Sequence, residues 1–333
     1  MMEKLSTEKR KKLEKLSDNR GVIRAIAIDQ RGSLQKMLDN CSKGQGDAHG
    51  LERFKFLVSK ELTPYASSIL LDPEYGWPAA EVKHNDAGLI MAYEITGYDP
   101  TQKGRLPRLL PGWSVKRLKE KGADAIKLLL YYDVDEETDI NEQKHAFVER
   151  VGSECMAEDV PFFLEIVTYD TTIVDTKGLE YAKVKPHKVN EAVREFSKPR
   201  YGVDVLKVET PVNMNYVEGY GKEEPVYSQE EARRYFKEQS DATDLPFIFL
   251  SAGVSAELFR QTLRFAHEAG SEFNGVLCGR ATWKGSIEPF AKDGEQAAHA
   301  WFQTEGIKNI TSLNQVLSET AKPWWERLRL KKE

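Results

Sequence analysis

Residues 202–209 read Gly-Val-Asp-Val-Leu-Lys-Val-Glu. Aliphatic and β-branched residues follow a glycine turn, the composition of a buried strand. Strand alternation sends Val205, Lys207 and Glu209 to one face and Leu206 and Val208 to the other. A lysine set between Leu206 and Val208 is costly to bury unless it is paired or deprotonated. The pattern recurs: residues 122–127 read Gly-Ala-Asp-Ala-Ile-Lys, so Gly-x-Asp-x-[Ile/Leu]-Lys occurs twice, with lysines at 127 and 207. One charged residue in an apolar strand can be an accident, whereas two at matched positions suggest a site. Asp124 and Asp204, which follow helix-ending glycines at strand starts, read as turn formers.

Working outward from this strand, similar apolar runs predict strands over 22–28, 67–71, 88–93, 125–131, 161–167, 246–250 and 275–278, besides 203–209. Helical spacing predicts helices over 4–17, 51–62, 113–121, 142–158, 188–197 and 256–269. Another is opened by the capping box Ser228–Glu231, and two more close the chain from about 288 and about 311. Residues 38–48 read as a polar loop, 96–107 as a Gly/Pro-rich loop and 211–227 as a long polar connection. Strand then helix, repeated, implies parallel pairing with helices outside. Eight such units predict a single-domain (β/α)8 TIM barrel over residues 1–333, with extra N- and C-terminal helices. The alternative is an open doubly wound sheet. No G-x-G-x-x-G follows the first strand, which counts against a dinucleotide-binding variant.

Composition narrows the function classes. The 333-residue chain is 40% hydrophobic with a formal net charge of −5, so no global basic field favours nucleic acid or an anionic membrane. The basic runs at 9–12 and 327–332 read as solvated helical faces or chain ends. No run approaches the roughly 18 apolar residues of a membrane span. The charged N-terminal stretch is unlike a secretory signal, and three cysteines without C-x-x-C spacing suit a reducing compartment, so the expectation is cytoplasmic.

In such a barrel the chemistry lies at the C-terminal ends of the strands. Asp29, Lys127, Glu165, Lys207, Ser251 and Arg280 fall there. The fourth and sixth strands are alternate members, which puts Lys127 and Lys207 at similar height with Glu165 between them. A cluster of this kind can serve only to fix strand register, but buried ion pairs are poor stability devices. The functional reading is an amine nucleophile, freed by a neighbouring ammonium and low-dielectric walls to attack a carbonyl, with Glu165 and Asp29 moving protons. These residues alone leave open which lysine forms the imine. Small residues in Ser251-Ala-Gly253-Val-Ser and Cys278-Gly279-Arg280 expose backbone N–H groups beside a forked cation, a phosphate-binding pattern. None of the six histidines falls at a predicted strand end, which disfavours a metal-dependent mechanism, and Cys278 reads as a packed thiol.

Longer motifs carry a resemblance over nearly the whole length: A-I-D-Q-R-G (27–32), E-L-T-P-Y-A-S-S-I-L-L-D-P-E-Y-G (61–76), W-S-V-K-R-L-K (113–119), G-A-D-A-I-K (122–127), P-F-F-L-E (161–165), K-P-H-K-V-N (185–190), D-V-L-K-V-E (204–209), L-S-A-G-V-S (250–255) and G-V-L-C-G-R-A-T-W (275–283). In these the chain resembles the class I tagatose-1,6-bisphosphate aldolases of bacterial lactose and galactose breakdown. The resemblance implies a metal-independent barrel enzyme without a cofactor that cleaves D-tagatose 1,6-bisphosphate to dihydroxyacetone phosphate and D-glyceraldehyde 3-phosphate. It also implies Lys207 as the Schiff-base lysine, Lys127 as its electrostatic partner and Glu165 as a proton-transfer group. Asp29 and Gln30 would lie near the substrate hydroxyls, and Ser251, Gly253, Gly279 and Arg280 would hold the C1 phosphate. Arg31 and Lys127 are candidates for the distal phosphate. The chain departs from the family mainly at 40–49, 134–141, 171–180 and 218–225, which bears on the far phosphate pocket and on oligomer contacts. The implied partner is a small sugar phosphate, with no nucleic acid and no membrane, and the implied assembly a small homo-oligomer, a dimer. The rival readings are a class I aldolase for another ketose phosphate (fructose 1,6-bisphosphate or a sulfosugar phosphate), a sugar-phosphate-binding regulatory protein, and a metal-dependent aldolase.

Overall fold

In a computed structural model, which describes residues 5–42, 49–99, 101–221 and 223–329, eight parallel strands close into a barrel in sequence order. They are β1 (Ile23–Ala27), β2 (Ser68–Leu71), β3 (Gly88–Ala92), β4 (Ala125–Tyr132), β5 (Phe162–Thr168), β6 (Val205–Val208), β7 (Phe247–Leu250) and β8 (Gly275–Cys278). β8 pairs with β1, which leaves no free sheet edge. The open-sheet alternative is therefore excluded.

Alternation along the strands builds two apolar regions. Inward-facing Ala25, Ala27, Leu70, Ile90, Ala92, Ala125, Phe163, Val205, Ile248 and Leu277 fill the barrel interior. Outward residues such as Ile26, Ile69, Met91, Leu164, Leu206 and Phe249 pack under the surrounding helices. The bottom of the barrel is stoppered by Leu13 and Leu16 of the N-terminal helix Thr7–Leu16 and by Trp324. Two residues further along the inward faces of β1, β3, β4, β5 and β6 stand Asp29, Glu94, Lys127, Glu165 and Lys207. Strand period alone thus places a charged rung directly above an apolar one.

The two motif aspartates do more than form turns. Asp204 accepts from Lys9 Nζ at 2.7 Å and from the Phe162 N–H at 2.8 Å. Asp124 accepts from Lys15 Nζ and from the Leu89 N–H, both at 2.8 Å. Each couples a neighbouring strand to the stoppering helix, so the repeated motif carries a stability device at one end and a site lysine at the other.

Three sequence expectations need correction. Residues 38–42 are not loop but the end of a helix, Gly32–Ser42, whose Leu34 and Leu38 are buried at an i, i+4 spacing. The helix expected over 188–197 runs from Leu179 to Phe196, straight through Pro186. The helix expected from 142 begins at Thr138. Residues 43–48 of the expected loop, one position each in the 96–107 and 211–227 connections, and the end of the basic C-terminal run lie outside the described residues.

Candidate active site

Lys127 is enclosed at the centre of the charged rung. Its Nζ lies 2.9 Å from Asp29 Oδ2, 2.7 Å from Glu94 Oε1 and 2.7 Å from Glu165 Oε2. Three carboxylates match the three N–H donors of an ammonium. Burial works against the charge, but Asp29, Glu165 and Glu94 together hold this lysine well above its ordinary pKa. Lys127 is a fixed cation with neither a free donor nor a lone pair.

Lys207 differs from it in partners and in access to the cavity. Among the described residues it has one carboxylate partner, Glu165 Oε1 at 2.7 Å, and its side chain faces a cavity of about 480 Å³ at the mouth of the barrel. This geometry separates the two lysines, which the residues alone left equivalent. Glu165 bridges them, one oxygen on each. Burial pushes its carboxyl up, and Lys127 and then Lys207 outweigh that, so it is held below the usual carboxylate range. Asp29 is treated the same way: burial opposes its charge, and Lys127 and then Lys207 keep it ionised. Glu165 lines the cavity, whereas Asp29 lies behind it against Lys127.

The expected phosphate loops meet on one wall of that cavity, where Ser251, Ala252, Gly253, Gly279 and Arg280 all line it. Ala252 (φ 47°) and Gly253 (φ 78°) are successive left-handed residues, a conformation that costs energy for alanine and persists in tight, functional turns. A Cβ on Gly253 would come within 3.0 Å of the Arg280 guanidinium, so glycine lets that cation lie over the loop. Gln30 lines the cavity as expected. Cys278 is buried, which pushes its thiol up to about 12, in keeping with a packed residue.

Arg31, like Asp29 and Lys127, is absent from the cavity lining. Its Nη1 lies 2.5 Å from Glu74 Oε2, and its Nη2 donates to the Glu94 carbonyl at 2.8 Å. These two contacts make it a buried strut between the β2 and β3 ends.

Two features went unread in the sequence. In the sequence Glu94 reads only as the end of the third strand, yet its Oε1 meets Lys127 and its Oε2 accepts the Leu129 N–H at 3.1 Å. Its position two residues beyond inward-facing Ala92 was the available signal. The second is the wall opposite Arg280, formed by Thr176, Lys177, Lys185, Glu209, Thr210, Asn213 and Asn215. Lys185 Nζ lies 3.2 Å from Glu209 Oε1, and Glu209 Oε2 accepts the Thr168 N–H and hydroxyl, both at 2.7 Å. Among the described residues no cluster of His, Cys, Asp and Glu has the arrangement of a metal site.

Fold and site together define a class: a parallel barrel enzyme in which one cavity-facing amine is set against a fixed cation through a shared carboxylate, the layout of an imine-forming aldolase. The chain belongs to the DeoC/LacD family of aldolases, whose description matches residues 23–285. It is 63% identical over 326 residues to tagatose 1,6-diphosphate aldolase 2 of Enterococcus faecalis, covering 98% of each chain. It is 58% identical over 322 residues to tagatose 1,6-diphosphate aldolase of Staphylococcus aureus, covering 97% of this chain and 99% of the other. Among solved structures, the fold matches fructose-bisphosphate aldolase from Plasmodium falciparum (TM-score 0.72, 16% identity, 96% and 97% coverage). It also matches a Schiff base forming fructose-1,6-bisphosphate aldolase (TM-score 0.56, 15% identity, 92% and 98% coverage).

Proposed function

We propose that this protein is a class I aldolase that cleaves D-tagatose 1,6-bisphosphate to dihydroxyacetone phosphate and D-glyceraldehyde 3-phosphate, with Lys207 as the imine-forming residue. The observation that carries the reading is the asymmetry of the two lysines: Lys127 is saturated by three carboxylates, while Lys207 faces the cavity with one. The substrate is supported by the high identity, over nearly full length, to proteins that bear that substrate in their names.

The neutral amine of Lys207 attacks the C2 carbonyl, and loss of water gives an iminium. The iminium accepts the electron pair of the C3–C4 bond once the C4 hydroxyl gives up its proton. Glu165 is assigned that proton, because it lines the cavity and touches both lysines, whereas Asp29 acts through Lys127. Glyceraldehyde 3-phosphate leaves, the enamine is protonated at C3, and water hydrolyses the imine to release dihydroxyacetone phosphate and restore the lysine. Ser251, Gly253, Gly279 and Arg280 are assigned the C1 phosphate, and its binding energy aligns C2 with the amine. Gln30 is assigned to the substrate hydroxyls.

The test is borohydride reduction in the presence of dihydroxyacetone phosphate, followed by peptide mapping, with kcat/KM compared for tagatose and fructose bisphosphates. The expected outcome is a single adduct on Lys207, lost in Lys207→Met, and robust cleavage of the tagatose sugar. An adduct on another lysine, or none, overturns the assignment. We also propose a cytoplasmic homodimer, supported by the three free cysteines and the family resemblance; sedimentation of the purified protein checks the stoichiometry.

A further inference from the structure

A bisphosphate has two dianionic ends, and the loops after β7 and β8 provide for one of them. The cavity has four cationic side chains on its walls: Lys207, Lys185, Lys177 and Arg280. Lys207 and Lys185 are each paired with a carboxylate, Glu165 and Glu209. Lys177 and Arg280 have no carboxylate partner among the described residues. They stand on different sides of the mouth, Arg280 just beyond β8 and Lys177 in the connection after β5, with Lys207 on β6 between them. Two unneutralised cations flanking a nucleophilic amine are the electrostatic outline of a ligand with an anion at each end.

Lys177 stands at the exposed rim of the cavity on an anchored backbone. The backbone of Lys177 is held at both polar atoms: its N–H donates to Asp175 Oδ1 at 2.9 Å, and its carbonyl accepts Asn213 Nδ2 at 3.3 Å. The second bond ties the connection after β5 to the one after β6. Thr176 and Asn215 line the same wall and add neutral donors. Two further cations near the site are already committed, since Lys127 is saturated and Arg31 is held by Glu74 and the Glu94 carbonyl, while Arg105 stacks on the Tyr98 and Tyr169 rings.

We propose that Lys177 anchors a second anion subsite that holds the phosphate distal to the reacting ketone and so makes the enzyme select bisphosphates over ketose 1-phosphates. This rests on the aldolase reading above. The experiment compares Lys177→Met and Lys177→Arg with the unaltered enzyme on tagatose 1,6-bisphosphate and on tagatose 1-phosphate, alongside borohydride trapping with dihydroxyacetone phosphate. Loss of a charge-assisted contact to phosphate is expected to lower kcat/KM for the bisphosphate about 10- to 100-fold in Lys177→Met. The 1-phosphate value and the Lys207 adduct should stay within about two-fold, and Lys177→Arg should recover most of the loss. Equal losses on both sugars, or no loss on the bisphosphate, overturn the subsite while leaving the aldolase reading intact. Failure of the unaltered enzyme to form the Lys207 adduct removes both.

Discussion

Replacing Lys127 with methionine removes the charge that organises the site while keeping most of its volume. Asp29, Glu94 and Glu165, now 2.7–2.9 Å from Lys127 Nζ, would converge on an apolar side chain. At 2.7 Å and an effective dielectric near 20, one such pair is worth about 6 kcal/mol of gross Coulomb energy. Relaxation and water entry reduce the realised cost of breaking a buried pair to about 3–5 kcal/mol. At about 1.4 kcal/mol per pH unit, that moves a carboxyl by about 2–4 units. The direction follows from the balance at Glu165: burial pushes it up, and Lys127 is the larger of the two cations pulling it down. The acid limb of kcat/KM against pH should therefore move upward by about 2 units or more, and kcat near neutrality should fall at least about 100-fold. The stability consequence has a sign as well. Carboxylates held below their unfolded pKa contribute stability above that value and lose it as pH falls through the folded one. The variant should thus be less stable near pH 7 and approach the unaltered enzyme below about pH 4. Rate profiles between about pH 5 and about pH 9, and urea denaturation at about pH 7 and at successively lower pH below about 4, measure each effect. An acid limb that stays in place while only the denaturation midpoint drops would reduce Lys127 to a structural strut.

Two further outcomes follow from the same geometry. Glu94→Gln leaves one acceptor where Lys127 and the Leu129 N–H each need one, so stability should fall by about 1–3 kcal/mol. Its kcat should drop with KM nearly unchanged, because Glu94 does not line the cavity; a raised KM with intact kcat would place it in substrate binding instead. Gly253→Ala adds a Cβ at φ 78° and 3.0 Å from the Arg280 guanidinium, straining the turn and displacing the cation. Weaker capture of dihydroxyacetone phosphate and of the bisphosphate alike is expected, measured by the concentration dependence of borohydride trapping and by KM. A loss confined to the bisphosphate would move this loop to the distal end.

The barrel was legible because its strands are short apolar runs behind turn residues, and each expected strand has a counterpart within about two residues. Helix limits were harder to read where local signals conflict. The helix expected from 188 starts before Pro186 and passes through it, with Tyr181 and Ala182 before the proline and Val189 and Val193 after it all buried. Asn40-Cys41-Ser42 reads as loop, yet the stripe from Leu34 and Leu38 carries the helix to Ser42. Polarity of a few residues loses to the burial of a whole face.

By itself the sequence determined the period-two placement of Lys127, Glu165 and Lys207 on inward faces, since alternation along a strand needs no knowledge of its neighbours. It could not rank the two lysines, because their difference lies in partners distant along the chain. Lys127 is 98 residues from Asp29 and 33 from Glu94. Nor could it see that Arg31 is consumed by Glu74, or that Lys177 and Arg280 face one cavity from different sides of the barrel mouth. Closure of the barrel decided these points. It brings the ends of all eight strands to one mouth, where one lysine meets three carboxylates and the other meets one and faces the cavity.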